Sequence, residues 1–168
     1  MNTLSYIRAI AFDADDTLWD NETYFLEVER GMCDILAPYG DAQAISDSLF
    51  QVEMANMDDY GYGAMAFTLS LVENAVKVSH GAIPATDIAR IIELGRTLLR
   101  LKATPLEGVE ATLRQLKATG RYQLVVFTKG ELLTQENKLK RSPHLKAQSE
   151  EWRSKNRKSS NYFAKIPK

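Results

Sequence analysis

The chain has too little cysteine and too little continuous apolar sequence for several classes of protein. Its single cysteine, Cys33, cannot form an intrachain disulfide, which is typical of a reducing compartment. No apolar run is long enough to span a membrane. The N-terminus has no basic segment followed by an apolar core, so we expect no signal peptide, no membrane partner and a cytoplasmic location.

What remains is the composition of an ordinary globular protein with an uneven charge distribution. Of 168 residues, 45% are hydrophobic and 26% are charged, which suits one domain or a small domain with an insertion. The net charge of -1 conceals a basic end: from Lys138 onward, ten Lys or Arg residues face only Glu150 and Glu151, a local charge of +8. Such a tail can bind nucleic acid. No other feature supports that partner, and we do not expect it.

Three carboxylates follow the first predicted strand. The apolar run Ile7 to Phe12 predicts a buried strand, and Asp13, Asp15 and Asp16 come directly after it. Carboxylates crowded at the end of a buried strand are costly unless a cation or hydrogen-bond donors compensate them. In open α/β sheets, ligands bind at this end of the strands. The pattern therefore indicates an anionic pocket that holds a cation.

The spacing of Asp13 and Asp15 adds chemistry. Residues i and i+2 of an extended segment point to the same side, so both carboxylates can face one pocket if the strand geometry persists. One could then act as nucleophile and the other as general acid and base. Mg²⁺ often binds through one or two carboxylates together with a substrate phosphate. The alternative is a strand that runs into an Asp-rich turn without any catalytic role.

Beyond this loop, hydrophobic periodicity predicts helices and one further strand. The predicted helices lie near residues 20–36, 45–57, 67–79, 84–99, 109–116 and 131–140, and the strand lies at 122–127. Two strands joined through helices imply a parallel pair with a right-handed crossover. One crossover needs only one helix, so the first four helices, near residues 20–99, are more than the crossover requires. We therefore predict an α/β fold with a Rossmann-like parallel sheet and a helical insertion.

A second polar turn closes the second apolar strand. Thr128, Lys129 and Gly130 follow this strand as the aspartates follow the first. If the two strands are neighbours, both ends open into one crevice. A hydroxyl and loop amides at the start of a helix suit a phosphate oxygen. Alone, such a sequence is more often an ordinary turn, but together with the aspartates it indicates a phosphate site.

The segment from Phe12 to Leu18 resembles the first motif of the haloacid dehalogenase (HAD) superfamily. The resemblance implies that Asp13 is the phosphoryl acceptor and Asp15 the acid and base. It also implies that Mg²⁺ is held by the Asp13 side chain and the Asp15 backbone carbonyl. The dehalogenases proper lack an Asp at the second position, so Asp15 favours a phosphatase that hydrolyses a small phosphomonoester.

The same resemblance extends to the second strand and to the insertion. Thr128 stands where the family has the Ser or Thr that binds the transferred phosphoryl group. The helical insertion resembles the cap of C1-type members. The implied division is a core of residues 1–17 and 105–142, a cap of 18–104 and a basic irregular tail of 143–168.

The resemblance ends near Arg141. The family expects a phosphate-binding Lys and then acids after another apolar strand. Lys155, Lys158 and Lys165 match the Lys by spacing alone, and no apolar strand follows Pro143. We therefore expect the tail to lie outside the core and to leave the sheet with an uncovered edge. A second hypothesis is a truncated or frame-altered HAD-like chain with little turnover that binds phosphate or a partner. The sequence indicates neither the substrate nor the oligomeric state.

Overall fold

A computed structural model describes residues 7–129, 132–142 and 161–166 of the chain. Nine helices and strands lie within these ranges. In chain order they are β1 (Ala9–Phe12), α1 (Glu22–Leu36), α2 (Ala42–Tyr60), α3 (Ala64–Val78), α4 (Ala85–Leu99), α5 (Val109–Ala118), β2 (Gln123–Lys129), α6 (Leu132–Lys140) and β3 (Asn161–Ile166). The predicted helices and both predicted strands are therefore present, and β3 is additional.

The chain divides into two compact units. The α/β unit comprises the residues up to Asn21 and from Lys102 onward, and the helical unit is Glu22–Leu101. These limits differ by a few residues from the predicted insertion of 18–104. The reason is packing, because Leu18 and Trp19 are buried in the apolar core of the α/β unit.

β1 and β2 form the predicted parallel pair. Ala9 lies opposite Gln123 and Phe12 lies opposite Val126. In a parallel pair the carboxyl ends of both strands reach the same edge of the sheet. The loop after β1 and the end of β2 therefore lie at one edge, as ligand sites of α/β sheets require.

One face of this pair carries the core of the α/β unit. Ile10 and Phe12 of β1 are half-buried, whereas Ala9 and Ala11 are exposed. The cluster also contains residues of β2, α5 and the loops, namely Ala14, Leu18, Trp19, Ala103, Val109, Leu113, Leu116, Leu124 and Val126. The expectation that β1 is buried throughout is thus wrong, because the apolar cluster collects only the alternate residues on one side of the strand.

The expectation that the tail lies outside the core is wrong for Asn161–Ile166. These residues form β3, which pairs with β2 in antiparallel orientation, so the described sheet has the order β1-β2-β3. The predicted uncovered edge of β2 is occupied. An antiparallel edge strand needs only alternating apolar residues, not the continuous run of a buried parallel strand. Tyr162, Ala164 and Ile166 supply that alternation. The rest of the tail lies outside the described residues.

The helical unit is built from α1 to α4 around its own apolar core. The most deeply buried members include Met32, Leu36, Leu71, Ala75 and Ile91, each with no exposed surface. The Asp41 side chain accepts a hydrogen bond from the backbone N–H of Ala44 at 3.0 Å and so caps α2. Among the described helices, none combines the length and the apolarity needed to cross a membrane.

Candidate active site

The acidic loop after β1 is a tight turn that folds back on its own backbone. The carbonyl oxygen of Ala14 accepts a hydrogen bond from the N–H of Leu18 at 2.8 Å, and Ala14 is completely buried. Asp16 has a φ of 57°, a left-handed conformation that Asp adopts more readily than most residues. The strand ends at Phe12, so the predicted extended geometry does not persist through the aspartates.

Asp13 is an exposed carboxylate of this loop, as is Asp16. Oδ2 of Asp13 lies 3.5 Å from the hydroxyl of Thr17, which is the long limit of a hydrogen bond. Within residues 7–129, 132–142 and 161–166, no other side chain bonds to this carboxylate. It lies directly after β1, at the edge where ligands bind. Such a group is accessible to an electrophile or to a cation.

Asp15, by contrast, is held by three hydrogen-bond donors. Its Oδ1 accepts from Trp19 Nε1 and from Lys138 Nζ, both at 2.7 Å. Its Oδ2 accepts from Gln135 Nε2 at 2.6 Å. The Asp15 side chain is 25% exposed and that of Lys138 is 5% exposed. Short hydrogen bonds with a charged partner are the strong ones, so the orientation of Asp15 is fixed.

Lys138 is the buried cation of this site. Apart from Asp15, its ammonium group donates to the side-chain oxygen of Asn21 at 2.8 Å. Its backbone carbonyl accepts from the Ser142 hydroxyl at 2.9 Å, which ties down the end of α6. A buried ammonium ion needs such partners because its desolvation is costly. Lys138 therefore compensates part of the negative charge of the acidic loop, so the chain itself supplies part of the positive charge that the sequence predicted.

Gln135 lies three residues before Lys138, on the same face of α6. The residue is 6% exposed, and its Nε2 donates to Asp15. Its Oε1 is buried without a hydrogen-bond partner in the described part of the chain. A buried acceptor left without a partner costs free energy. The Gln135 amide therefore has a buried acceptor whose bonding capacity is unused.

The second predicted site element lies at the end of β2. Thr128 is 4% exposed and follows Val126, the residue that pairs with Phe12 of β1, by two positions. Lys129 is the last residue of β2, and only its backbone is described. Gly130 lies outside the described residues. The register thus brings the Asp13 loop and Thr128 to the same edge of the sheet.

Comparison with known proteins identifies the family. A family model described as haloacid dehalogenase-like hydrolase matches residues 7–158, which is most of the chain. The chain belongs to the haloacid dehalogenase-like hydrolases. No curated protein matches it.

Two solved structures illustrate the similarity of fold. A haloacid dehalogenase-like family hydrolase from Xanthomonas campestris has 38% sequence identity and a TM-score of 0.75. A structure described as a dehalogenase has 19% identity and a TM-score of 0.50, a likeness that concerns the fold alone. In both cases the match covers 82% of this chain and 57% of the other chain. The chain therefore spans little more than half the length of these relatives.

Sequence reasoning about this haloacid dehalogenase-like chain did not find the partners of Asp15. It counted Lys138 only in the charge of the basic end, and it assigned no role to Lys138, Gln135 or Trp19. The only available signal was the spacing of Gln135 and Lys138, which puts both on one face of a helix. The structure does not test the three lysines that matched the phosphate-binding Lys by spacing. Lys155 and Lys158 lie outside the described residues, and Lys165 lies in β3 with only its backbone described.

The donor set of the loop fits a minimal Mg²⁺ site. In the described part of the chain, no group of three or more His, Cys, Asp or Glu side chains could hold a metal ion. Asp13 offers an exposed carboxylate, the hard oxygen ligand that Mg²⁺ prefers. Both side-chain oxygens of Asp15 are engaged, so its backbone carbonyl is the remaining candidate ligand. Mg²⁺ commonly binds through one or two carboxylates and fills its shell with water and substrate phosphate.

Proposed function

We propose that the chain is a Mg²⁺-dependent phosphatase that hydrolyses a small phosphomonoester through an aspartyl-phosphate on Asp13. The observation that carries this proposal is the contrast between two carboxylates two residues apart. Asp13 is exposed with one long contact, as a nucleophile needs to be, whereas three donors orient Asp15. Membership of the haloacid dehalogenase-like hydrolases supports hydrolysis, and the Asp at position 15 supports phosphate as the group attacked.

The proposed reaction has two steps. An oxygen of Asp13 attacks phosphorus, the bond to the leaving oxygen breaks, and Asp15 gives that oxygen a proton. Water then attacks the phosphorus of the aspartyl-phosphate, Asp15 takes a proton from it, and inorganic phosphate leaves. The Asp13 carboxylate is restored and Asp15 is protonated for the next cycle.

The donors around Asp15 suit the second step, in which its carboxylate accepts a proton from water. Both of its oxygens accept hydrogen bonds, as those of an ionised carboxylate do. In the first step Asp15 must carry a proton, and one donor must then give way. The Gln135 amide can do this by turning over, because its partnerless Oε1 would accept a bond from a protonated Asp15. We therefore assign Lys138 and Gln135 as positioning residues for Asp15.

The remaining parts of the proposed site bind the phosphoryl group. The Thr128 hydroxyl and the backbone amides of Lys129 and Gly130 are the groups proposed to contact its oxygens. Mg²⁺ would be held by the Asp13 side chain and the Asp15 backbone carbonyl. When bound, it would neutralise charge on the phosphoryl oxygens. The proposed partner is thus a small phosphorylated molecule.

A second candidate function is binding of phosphate or of a partner with little turnover. The specific observation in its favour is that the described residues contain no cluster of three potential metal-ligating side chains. A phosphatase with one carboxylate ligand would hold Mg²⁺ weakly. Under this alternative, Asp13 and Thr128 still mark the phosphate site, but the aspartyl-phosphate does not form at a useful rate.

Release of p-nitrophenol from p-nitrophenyl phosphate tests the proposal, with Mg²⁺ and with a chelator. We expect turnover that requires Mg²⁺ and falls to background in Asp13→Asn. Asp15→Asn should lose about 10²–10⁴-fold in turnover, the usual contribution of a general acid and base. Asp58→Asn, which changes an exposed carboxyl on α2, is the matched control and should retain full activity.

Two further outcomes separate the candidates. Acid-quenched protein should carry phosphate in the wild type and none in Asp13→Asn, because only an Asp13 adduct survives the quench. Near-normal turnover of Asp13→Asn would show that the covalent mechanism is wrong. Saturable binding of inorganic phosphate without turnover at any Mg²⁺ concentration would favour the binding function over the phosphatase.

A further inference from the structure

The helical unit contains a small cavity between α1, α2 and α3. Its volume is about 160 Å³, similar to that of buried cavities that hold one benzene-sized molecule. Phe25, Met57 and Phe67 form much of its apolar wall, and Tyr62 stands at the turn between α2 and α3. The Phe25 and Phe67 rings lie 5.0 Å apart at an angle of 54°. The cavity therefore offers an aromatic surface to a compact ligand.

Glu53 of α2 also lines this cavity and has nothing to bond to. It is half-buried, and no hydrogen bond or ion pair joins it to any residue in the described part of the chain. Burial, followed by the negative charges of Glu29 and Glu22, raises the pKa of this carboxyl to about 7. A carboxylate in an apolar wall is costly unless a partner compensates it. The missing partner is a cation.

Several other polar groups in and near the cavity have hydrogen-bond partners. The Asn56 side-chain amide donates to the Ser70 hydroxyl at 3.2 Å and also to Glu73. Glu29 accepts a hydrogen bond from the Ser46 hydroxyl. Glu53 is the one charged side chain among the residues that line the cavity, and it has no partner in the described part of the chain.

No basic side chain is available to satisfy it. The ten residues that line the cavity include no Lys, Arg or His, and all ten are described. Glu22 and Glu29 of α1 act on Glu53, and Glu73 of α3 contacts Asn56 of the cavity wall; all three are acidic. The electrostatic environment therefore favours a positive ligand and disfavours a carboxylate or a phosphate.

We propose that this cavity binds a small organic ammonium ion, whose cation pairs with the Glu53 carboxylate and whose apolar body packs against Phe25 and Phe67. Aromatic rings attract a nearby cation through their quadrupole as well as packing against its apolar part. The volume limits the ligand to about the size of a benzene ring with one short arm. The proposal concerns the helical unit alone and does not depend on the proposed hydrolase function.

Benzylamine is a suitable probe because it joins one phenyl ring to one ammonium group. Isothermal titration calorimetry on the full chain at about pH 8 should give saturable binding with one site. For a ligand of this size we expect a dissociation constant on the order of 1 mM or tighter. No saturable binding at several times that concentration would overturn the proposal.

Charge variants test the role of Glu53. Glu53→Gln keeps the size of the side chain, removes its charge, and should weaken benzylamine binding by about tenfold or more, the usual worth of a hydrogen bond to a charged group. Glu27→Gln, which removes an exposed carboxylate from α1, is the matched control and should bind as the wild type does. Equal binding by wild type and Glu53→Gln would show that the carboxylate is not the ligand group.

The wild-type chain provides a test that needs no variant. Benzylamine stays protonated from about pH 5.5 to about pH 8, whereas Glu53 ionises within that range. Affinity should therefore increase by about tenfold or more as the pH rises. Benzyl alcohol, the neutral analogue, should bind more weakly and without this dependence. Tight, pH-independent binding of the alcohol would reduce the site to an apolar cavity and overturn the proposal.

Discussion

The ammonium group of Lys138 lies 2.7 Å from Oδ1 of Asp15, across 123 residues of sequence. The contact joins the last turn of α6 to the loop after β1, and Lys138 is almost fully buried there. Trp19 and Gln135 complete the set of donors around the same carboxylate. The orientation of Asp15 is thus set by Trp19 from its own loop together with Gln135 and Lys138 from α6.

Lys138→Met should impair the proposed phosphatase without touching the nucleophile. Met keeps the apolar stem of the side chain but removes the charge and two hydrogen bonds, to Asp15 and to Asn21. We expect turnover to fall by about 10–100-fold, because a general acid and base that is poorly oriented loses part of its contribution. Steady-state kinetics with p-nitrophenyl phosphate over a range of pH measures this.

A control variant and the pH profile of kcat distinguish a positioning role of Lys138 from a merely structural one. Lys140→Met removes an exposed charge from the same helix, where Lys140 pairs with Glu136, and should leave kcat and its pH profile unchanged. Lys138→Met should instead change the shape of the pH profile. A loss of kcat with an unaltered profile, together with a lowered unfolding temperature, would mean that Lys138 is only structural.

The sequence predicted the fold well and the site only in part. Hydrophobic periodicity indicated the helices and both core strands because burial imposes that pattern on each element locally. The partners of Asp15 depend on which face of α6 meets the loop after β1. That is a tertiary relationship with no local pattern, so no role was assigned to the polar side chains of α6. β3 was missed because only a continuous apolar run was sought in the tail.

Glu53→Gln should stabilise the helical unit at high pH and leave it unchanged at low pH. The folded pKa of Glu53 is about 7, above its ordinary value of 4.5, so the folded state binds more protons than the unfolded state between these values. Stability is therefore lost as the pH rises through this window. The variant escapes that loss. The gain should be on the order of 1 kcal/mol or less, because Glu53 is only partly buried and solvent screens its charge.

Thermal unfolding followed by circular dichroism at about pH 4.5 and about pH 8 measures this difference. The variant and the wild type should have the same midpoint temperature at the lower pH. At the higher pH the midpoint of the variant should be higher, by about 2–4 °C for each kcal/mol of added stability. Glu27→Gln controls for the loss of one acidic group from the surface. A Glu53→Gln variant less stable than the wild type at about pH 8 would contradict the assignment of an uncompensated carboxylate.

Gly95→Ala should destabilise the helical unit through a clash between α4 and α3. A Cβ at this buried glycine would lie 2.8 Å from the Cβ of Thr68 and closer still to its hydroxyl. Overpacking of this kind typically costs about 1–3 kcal/mol. Gly40→Ala is the control, since its nearest contact is Ile45 at an ordinary 3.6 Å.

Chemical denaturation of the Gly95 and Gly40 variants tests the close approach of the helices. Thr68→Ala removes two of the three crowding atoms, so it should recover part of the stability lost by Gly95→Ala, and the two changes should not be additive. If Gly95→Ala were as stable as Gly40→Ala, α3 and α4 would be farther apart at this point than the structure places them.

Loss of β3 should leave the outer edge of β2 unpaired. β3 pairs with β2 over six residues, from Leu124 opposite Ile166 to Lys129 opposite Asn161. An exposed strand edge is a template for pairing with another chain. A chain that stops after Ser160 should therefore self-associate more, as measured by light scattering, and the backbone amides of β2 should exchange hydrogen faster. Replacement of Asn161–Ile166 by alternating Gly and Ser of the same length separates loss of the strand from shortening of the chain. This variant should behave in the same way as the shortened chain. If both variants stayed as monomeric and as protected as the full chain, β3 would contribute nothing to the sheet, and the tail would lie outside the core as its composition first indicated.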